Sequence, residues 1–283
     1  MKPPRRRGLL LLVGLALVVV MSRKLPLRSF THSRLRFPYL SSQLEPSAYR
    51  AFAAKPGWSA SSIEPAPGVH LNGLLRPPKS ANAPWVLFYQ GNDAKMLETG
   101  QAFLIRLAGD EDWGLATYAY RGYSSSSGTP RLDDLATDAA KILEQLCTAQ
   151  NVPPSRVHLV GFSIGGHLAT RAARAAALRS ERAATLSLLA SVDDIVMFRR
   201  SFWDKLDAGD DYQTRPLLGD VPAPVLVIQG TKDEALLGPE QGRAIAAALG
   251  ERARYLELEG VGHSALLEND SAIKEVRAFI AGH

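Results

Sequence analysis

Ser163 lies in a short motif in which Gly161 and Gly165 stand two residues before and two residues after the serine. The apolar run 157–160 precedes the motif, so the pattern predicts a strand, a sharp turn and a helix. Glycine is needed at both flanking positions if the turn brings backbone segments close together. Such a turn exposes a serine hydroxyl at the end of a sheet, and the N–H groups of the next helix can stabilise negative charge. The same string also occurs in loops that carry no chemistry.

Two further residues could complete the chemistry that a serine nucleophile needs. Asp233 follows the β-branched run 225–228, and His263 follows residues 254–258; both runs predict strands. The carboxyl ends of parallel strands meet at one edge of a sheet, where active-site residues collect. A histidine can accept the serine proton, and a carboxylate orients the imidazole. We therefore predict a catalytic triad of Ser163, Asp233 and His263.

An acyl-transfer site also needs donors for a developing oxyanion. Residues 84–89 predict a strand, and Gln90-Gly91-Asn92-Asp93 follow it. We expect the backbone N–H groups of Asn92 and Ile164 to form the oxyanion hole.

The sequence resembles the α/β-hydrolase superfamily over residues 65–283. The resemblance rests on the motifs above and on the turn Tyr120-Arg121-Gly122-Tyr123-Ser124. The sequence is most similar in pattern to small single-domain serine hydrolases and membrane-anchored ABHD-type proteins, which include esterases, lipases and serine-aminopeptidase-like proteins. Their loop usually reads His-Gly-Asn, and their turn reads Tyr-Arg-Gly-Tyr-Gly-x-Ser. Gln90 replaces the loop histidine and Ser124 replaces the second turn glycine, so the resemblance carries no side-chain role over to Gln90.

Strands alternate with helices along the chain, which predicts an α/β fold with a mainly parallel sheet flanked by helices on both faces. This is the α/β-hydrolase fold, and the resemblance implies a short lid between strands six and seven, at about residues 193–220. Asp193 follows the sixth predicted strand, where some lipases place the acid of the triad, so it is the alternative acid. We expect residues 25–64 to form an irregular connecting segment with a helix near residues 46–54.

The basic charge of the chain is concentrated at its start. The formal net charge is +5, but nine of the 33 basic residues and none of the 28 acidic residues lie within residues 1–36. The remainder therefore carries 24 basic and 28 acidic residues, a net charge of −4. A mildly acidic folded part argues against a nucleic-acid partner.

Residues 1–24 are typical of a targeting segment. Three arginines precede the apolar stretch 8–21, and Arg23 and Lys24 follow it. This stretch is shorter than the about 20 residues of a spanning helix and matches a signal-peptide core. No small-x-small cleavage site follows, so we favour an uncleaved N-terminal membrane anchor, with a cleaved export signal as the alternative.

The remaining candidate ligands and nucleophiles do not form a second site. Cys147 is the single cysteine, and it falls within a predicted helix, where a packed thiol is expected. The six histidines, including His158 and His167, do not have metal-ligand spacing. We predict no metal and no cofactor.

Together these observations predict a serine hydrolase that cleaves carboxylic esters through an acyl-serine intermediate. The expected substrate is a small-molecule acyl ester or a lipid, with thioesters included. The alternatives are a serine peptidase acting on small peptides and a non-catalytic membrane-tethered binding module. The sequence does not indicate an oligomeric state.

Overall fold

A computed structural model of the protein describes residues 44–93, 95–194, 213–236 and 238–283. The strands are β1 (Ser59–Ala66), β2 (Val69–Arg76), β3 (Trp85–Tyr89), β4 (Gly114–Tyr118), β5 (Val157–Phe162), β6 (Thr185–Leu189), β7 (Val225–Lys232) and β8 (Ala253–Gly262). The helices are α1 (Pro46–Ala53), α2 (Met96–Ala108), α3 (Leu132–Gln150), α4 (Ile164–Ala177), α5 (Thr214–Leu218), α6 (Glu240–Leu249) and α7 (Asp270–Ala281). Short 3₁₀ turns precede β5 and β8 and follow β8.

All eight of these strands form one sheet in the order β1-β2-β4-β3-β5-β6-β7-β8. β1 pairs antiparallel with β2, and β2 pairs antiparallel with β4. The other six strands, β3 to β8, are parallel to one another. The strand order reverses between β3 and β5. In open parallel sheets, ligands bind at the carboxyl ends of the strands at such a switch point.

The core lies on both sides of the central strands. Every residue of β3, β4, β5 and β6 is buried, as expected for strands that are covered by helices on both faces. Helix α3 packs against α4, and α2 packs against α7. The predicted fold class, a mainly parallel sheet with flanking helices, is confirmed.

The prediction of an irregular segment over residues 25–64 is wrong where β1 begins, at Ser59. Strand β1 lies at the edge of the sheet, and Ile63 is its one buried residue. Backbone pairing with β2 holds this strand in the sheet, and such pairing does not require buried side chains. The sequence of β1 therefore lacks the apolar run that marks a buried strand. The helix expected near residues 46–54 is present as α1. Since β1 belongs to the same sheet, we propose that the hydrolase domain begins before residue 65.

Two predicted features lie outside the described residues. The targeting segment 1–24 precedes the first of them, and most of the expected lid, residues 195–212, falls in a gap between them. In the part of the chain that the structure describes, no helix is both long enough and apolar enough to cross a membrane. The membrane anchor and the lid therefore stay predictions.

Candidate active site

Ser163 is the single residue between β5 and α4, and its backbone is strained. Its φ is 56° and its ψ is −124°, a conformation that residues with a side chain rarely adopt. The N–H of Ser163 donates a hydrogen bond of 2.9 Å to the carbonyl of Leu189 on the neighbouring strand β6, which holds the turn in place. The strand, sharp turn and helix therefore occur where the motif predicts them.

The flanking glycines leave room for close backbone approach. A Cβ on Gly161 would lie 2.4 Å from the carbonyl oxygen of Gly165. A Cβ on Gly165 would lie 2.1 Å from the carbonyl oxygen of Tyr89, at the end of β3. Real Cβ atoms do not approach this closely, so a side chain at either position would force the turn away from the sheet.

Asp233 and His263 emerge side by side from neighbouring strands. Lys232 of β7 is opposite Gly262 of β8, so the next residue on each strand leaves the sheet at the same level. The Nδ1 atom of His263 lies 2.8 Å from Oδ2 of Asp233. The carboxylate side chain is fully buried, and the imidazole is 12% exposed.

Asp233 is held in its charged form. Burial alone would raise the pKa of this carboxyl, but hydrogen bonds from His263, the N–H of Leu236 and Gln229 outweigh burial and lower the pKa below its usual value. The Leu236 N–H donates to Oδ1 at 2.9 Å. Because the carboxylate accepts from Nδ1, the neutral imidazole carries its proton there and has a free lone pair on Nε2.

Ser163 and His263 line the same cavity, which has a volume of about 550 Å³. Its apolar wall includes Phe162, Leu236 and Leu267. The ring of Phe162 lies 4.8 Å from the imidazole, centroid to centroid, and supports it from one side. The cavity lies within the usual size range for small-molecule sites, and it brings the hydroxyl-bearing residue and the imidazole to one space.

The loop after β3, residues 90–93, forms another wall of this cavity together with Ile164. The Tyr123 hydroxyl donates to Oδ1 of Asn92 at 2.8 Å, and the Tyr120 hydroxyl donates to the carbonyl of Gln90 at 2.8 Å. Two tyrosines of the turn after β4 thus hold the loop that contains the expected oxyanion donor.

Gln90, which replaces the usual histidine, binds the backbone of α2 through its side chain. Its Nε2 donates to the carbonyl of Met96 at 2.8 Å, so it ties the loop to the start of α2. A Cβ on Gly100 would lie 2.8 Å from this nitrogen, so a glycine on α2 makes room for the Gln90 side chain.

Replacing Tyr123 by phenylalanine is expected to lower kcat for the predicted ester hydrolysis about fivefold with little change in KM. The hydroxyl contacts the loop and not the cavity, and one lost positioning hydrogen bond corresponds to about 1 kcal/mol. Steady-state kinetics on one ester measure the effect. Tyr118→Phe is the matched control, because its hydroxyl lies 2.9 Å from the Ser61 hydroxyl at the far edge of the sheet. Equal kcat in the two variants would show that Tyr123 does not support the loop.

Asp193, the alternative acid, is paired elsewhere. Its Oδ2 lies 2.6 Å from Nε of Arg215, and its Oδ1 accepts from the Arg215 N–H at 3.3 Å. Burial raises the pKa of this carboxyl, and the arginine partly offsets that effect. Asp193 follows β6, which is separated from β8 by β7, so His263 meets Asp233 instead.

The other candidate residues of the sequence lie away from the cavity: His158 and His167 are buried, and Cys147 is partly buried. The Nδ1 atom of His167 lies 3.1 Å from the Thr214 hydroxyl, and burial lowers the pKa of this histidine to about 3. Burial likewise lowers the pKa of His158 to about 4 and raises the pKa of the Cys147 thiol to about 12. Among residues 44–93, 95–194, 213–236 and 238–283, no three His, Cys, Asp or Glu side chains are grouped to hold a metal ion.

The structure adds Gln229 to the site. This residue of β7 is fully buried, and its Nε2 donates to Oδ2 of Asp233 at 2.7 Å. Gln229 is not among the site residues predicted from the sequence. The available signal was a single amide at the end of the otherwise apolar run 225–228, four residues before the acid.

Comparisons with known proteins agree with this architecture. A model of the "Alpha/beta hydrolase family" matches residues 91–209. The uncharacterized protein Rv2307c of Mycobacterium tuberculosis is 30% identical over 246 residues, which cover 81% of this chain and 84% of that protein. Human alpha/beta hydrolase domain-containing protein 17B is 28% identical over 206 residues, covering 71% of this chain and 68% of that protein.

Among solved structures, an alpha-beta hydrolase from Vibrio vulnificus has a TM-score of 0.67 at 18% identity, covering 88% of this chain and 98% of that one. At this identity the likeness concerns the fold. The fold and the site define a hydrolase architecture, and the sequence relatives agree with it. The chain belongs to the α/β-hydrolase superfamily.

Proposed function

We propose that the protein is a serine hydrolase that cleaves carboxylic esters through an acyl-serine intermediate. One observation carries this proposal: the strained serine of the β5–α4 turn and the imidazole bound to Asp233 line a single cavity. A hydroxyl, an imidazole and a buried carboxylate are the three groups that acyl transfer to serine requires.

In the proposed reaction, Nε2 of His263 accepts the proton of Ser163 as the serine oxygen bonds to the ester carbonyl carbon. The carbonyl oxygen becomes an oxyanion, which the N–H groups of Asn92 and Ile164 stabilise. The ester C–O bond then breaks, and the imidazolium gives its proton to the departing alkoxide. Water attacks the acyl-serine in the same way, and the carboxylic acid leaves as Ser163 regains its proton.

The substrate is proposed to have an acyl group of small or medium length. The volume of about 550 Å³ and the apolar wall suit a hydrocarbon chain better than a charged group. Lipid esters and thioesters fit the same wall, and an anchor formed by residues 1–24 would hold the site near lipid. Fractionation of cells that express the chain with and without residues 1–24 tests that location.

A serine peptidase acting on small peptides is the second candidate, because Asp93 and Glu268 line the cavity. A peptidase of this kind needs an anionic group for the substrate amine. Asp93 already accepts hydrogen bonds from the Lys95 N–H and the Thr99 hydroxyl at 2.9 and 2.6 Å, which leaves Glu268 for that role. The apolar wall of the cavity supports the ester proposal over this candidate.

A fluorophosphonate probe tests the proposal directly, because it bonds to activated serines. The natural protein is expected to be labelled at Ser163, and Ser163→Ala is expected to lose the label completely. Ser264→Ala is the matched control, since Ser264 lines the same cavity and is expected to leave labelling unchanged. An unlabelled natural protein, or label that follows Ser264, would contradict the proposal.

A further inference from the structure

Gln229 and His263 donate to the same oxygen of Asp233. The Gln229 Nε2 lies 2.7 Å from Oδ2, and the His263 Nδ1 lies 2.8 Å from that atom. The other carboxylate oxygen accepts only a backbone N–H, from Leu236, among the contacts that the structure describes. The negative charge that orients the imidazole is therefore shared with an amide from inside the sheet.

The orientation of the Gln229 amide follows from chemistry. An amide oxygen facing an ionised carboxylate at 2.7 Å would place two acceptors in contact, so the NH₂ group must point to Asp233. The amide oxygen, Oε1, is then buried and has no hydrogen-bond partner within the described ranges. A buried acceptor without a partner destabilises a fold, so the described hydrogen bond of this side chain, to Asp233, is kept at some cost in stability.

Helix α6 is shaped around this side chain. A Cβ on Gly242 would lie 2.8 Å from Cβ of Gln229 and 2.9 Å from its Oε1. Glycine inside a helix is less stable than alanine, so the helix gives up stability for close packing on β7 at this position. An apolar residue on β7 would not leave an unpaired oxygen there. Helix α6 thus encloses the Gln229 side chain, and the amide nitrogen of that side chain binds Asp233.

We propose that Gln229 is a positioning residue of the hydrolase: it holds Oδ2 of Asp233 in place for His263 and reduces the negative charge that this oxygen presents to the imidazole. The proposal rests on the function proposed above. Gln229 does not line the cavity, so it acts through Asp233 and not on the substrate.

The charge around the triad stays the same when Gln229 is changed. On the β7 side, the charged groups are Lys232 and Glu234, whose carboxylate lies near Gly262. On β8, Glu257 is paired with Arg243 at 2.6 Å. On the cavity side are Asp93 and Glu268. None of them is altered by a substitution at Gln229. A change in the pH profile would therefore report the lost amide.

Replacing Gln229 by methionine is the test, because methionine has a similar volume and neither a donor nor an acceptor. With one donor removed, Oδ2 attracts the proton of the imidazole more strongly and is held less firmly. The acidic limb of the kcat/KM profile is expected to move up by about 0.5–1 pH unit, and kcat to fall about tenfold with KM unchanged. The melting temperature is expected to be equal or higher, since the unpaired Oε1 is removed as well.

Gln101→Met is the matched control. Gln101 is also buried, its Oε1 also has no partner in the described part of the chain, and its Nε2 donates to Phe52 at 2.9 Å, away from the cavity. Its pH profile is expected to match that of the natural protein. If Gln229→Met does not fold, Gly242→Ala provides a second test, because its new methyl group displaces Gln229, and the same upward shift is expected.

A folded variant of either kind with the natural kcat and pH profile would overturn the role of Gln229. Failure of the underlying function is separate and visible in the natural protein, which would then neither react with the fluorophosphonate probe nor hydrolyse esters.

Discussion

Replacing His263 by alanine is expected to lower kcat for ester hydrolysis by about 10⁶-fold, because the Ser163 proton then has no base to accept it. Residues of a triad act as one unit, so loss of the base alone removes most of the catalytic effect. Single-turnover kinetics with an activated ester measure the loss. The circular dichroism spectrum is expected to stay unchanged, since the imidazole lies at the cavity surface.

Two controls accompany this variant. His70→Ala removes a histidine that is exposed on β2, and it is expected to keep full activity. Added imidazole is expected to restore part of the activity of His263→Ala, because the cavity of about 550 Å³ can hold the free base. Activity within tenfold of the natural protein in His263→Ala would contradict the proposed base.

The sequence was sufficient for the parts of the fold that depend on local pattern. β3 is a continuous apolar run, β5 is apolar apart from His158 and Gly161, and each strand is buried over its whole length. The turn at Ser163 follows from two glycines whose Cβ atoms would collide with backbone. In both cases a short stretch of sequence is sufficient to predict the strand or the turn. β1 was missed because Ile63 is its one buried side chain, and pairing of the backbone leaves no mark on the sequence.

Contacts between distant residues could not be predicted in this way. Asn92 and Tyr123 lie 31 positions apart, and their hydrogen bond depends on the placement of β3 beside β4. Gln229 and Asp233 are only four positions apart, but their hydrogen bond depends on how the chain turns at the end of β7. Such contacts require the strand order and the side-chain directions, which no local pattern contains.

The choice between Asp233 and Asp193 as the acid also depends on the strand order. Its test has the second largest expected effect. Asp233→Asn is expected to lower kcat about 10⁴-fold while the fold stays intact. An asparagine NH₂ group beside Nδ1 favours the imidazole that carries its proton on Nε2, and this form cannot accept the serine proton. Steady-state kinetics over a pH range measure the loss.

Asp193→Asn is the matched variant, because it makes the same chemical change in the alternative acid, which is also buried. Its partner, Arg215, has a half-exposed side chain that stays solvated, and the asparagine oxygen can still accept from it, so the variant is expected to stay folded and to leave kcat unchanged. The contrast follows from strand order: β7 is beside β8 and β6 is not, so only the acid that follows β7 contacts the imidazole. Loss of activity in Asp193→Asn together with retained activity in Asp233→Asn would reverse the assignment.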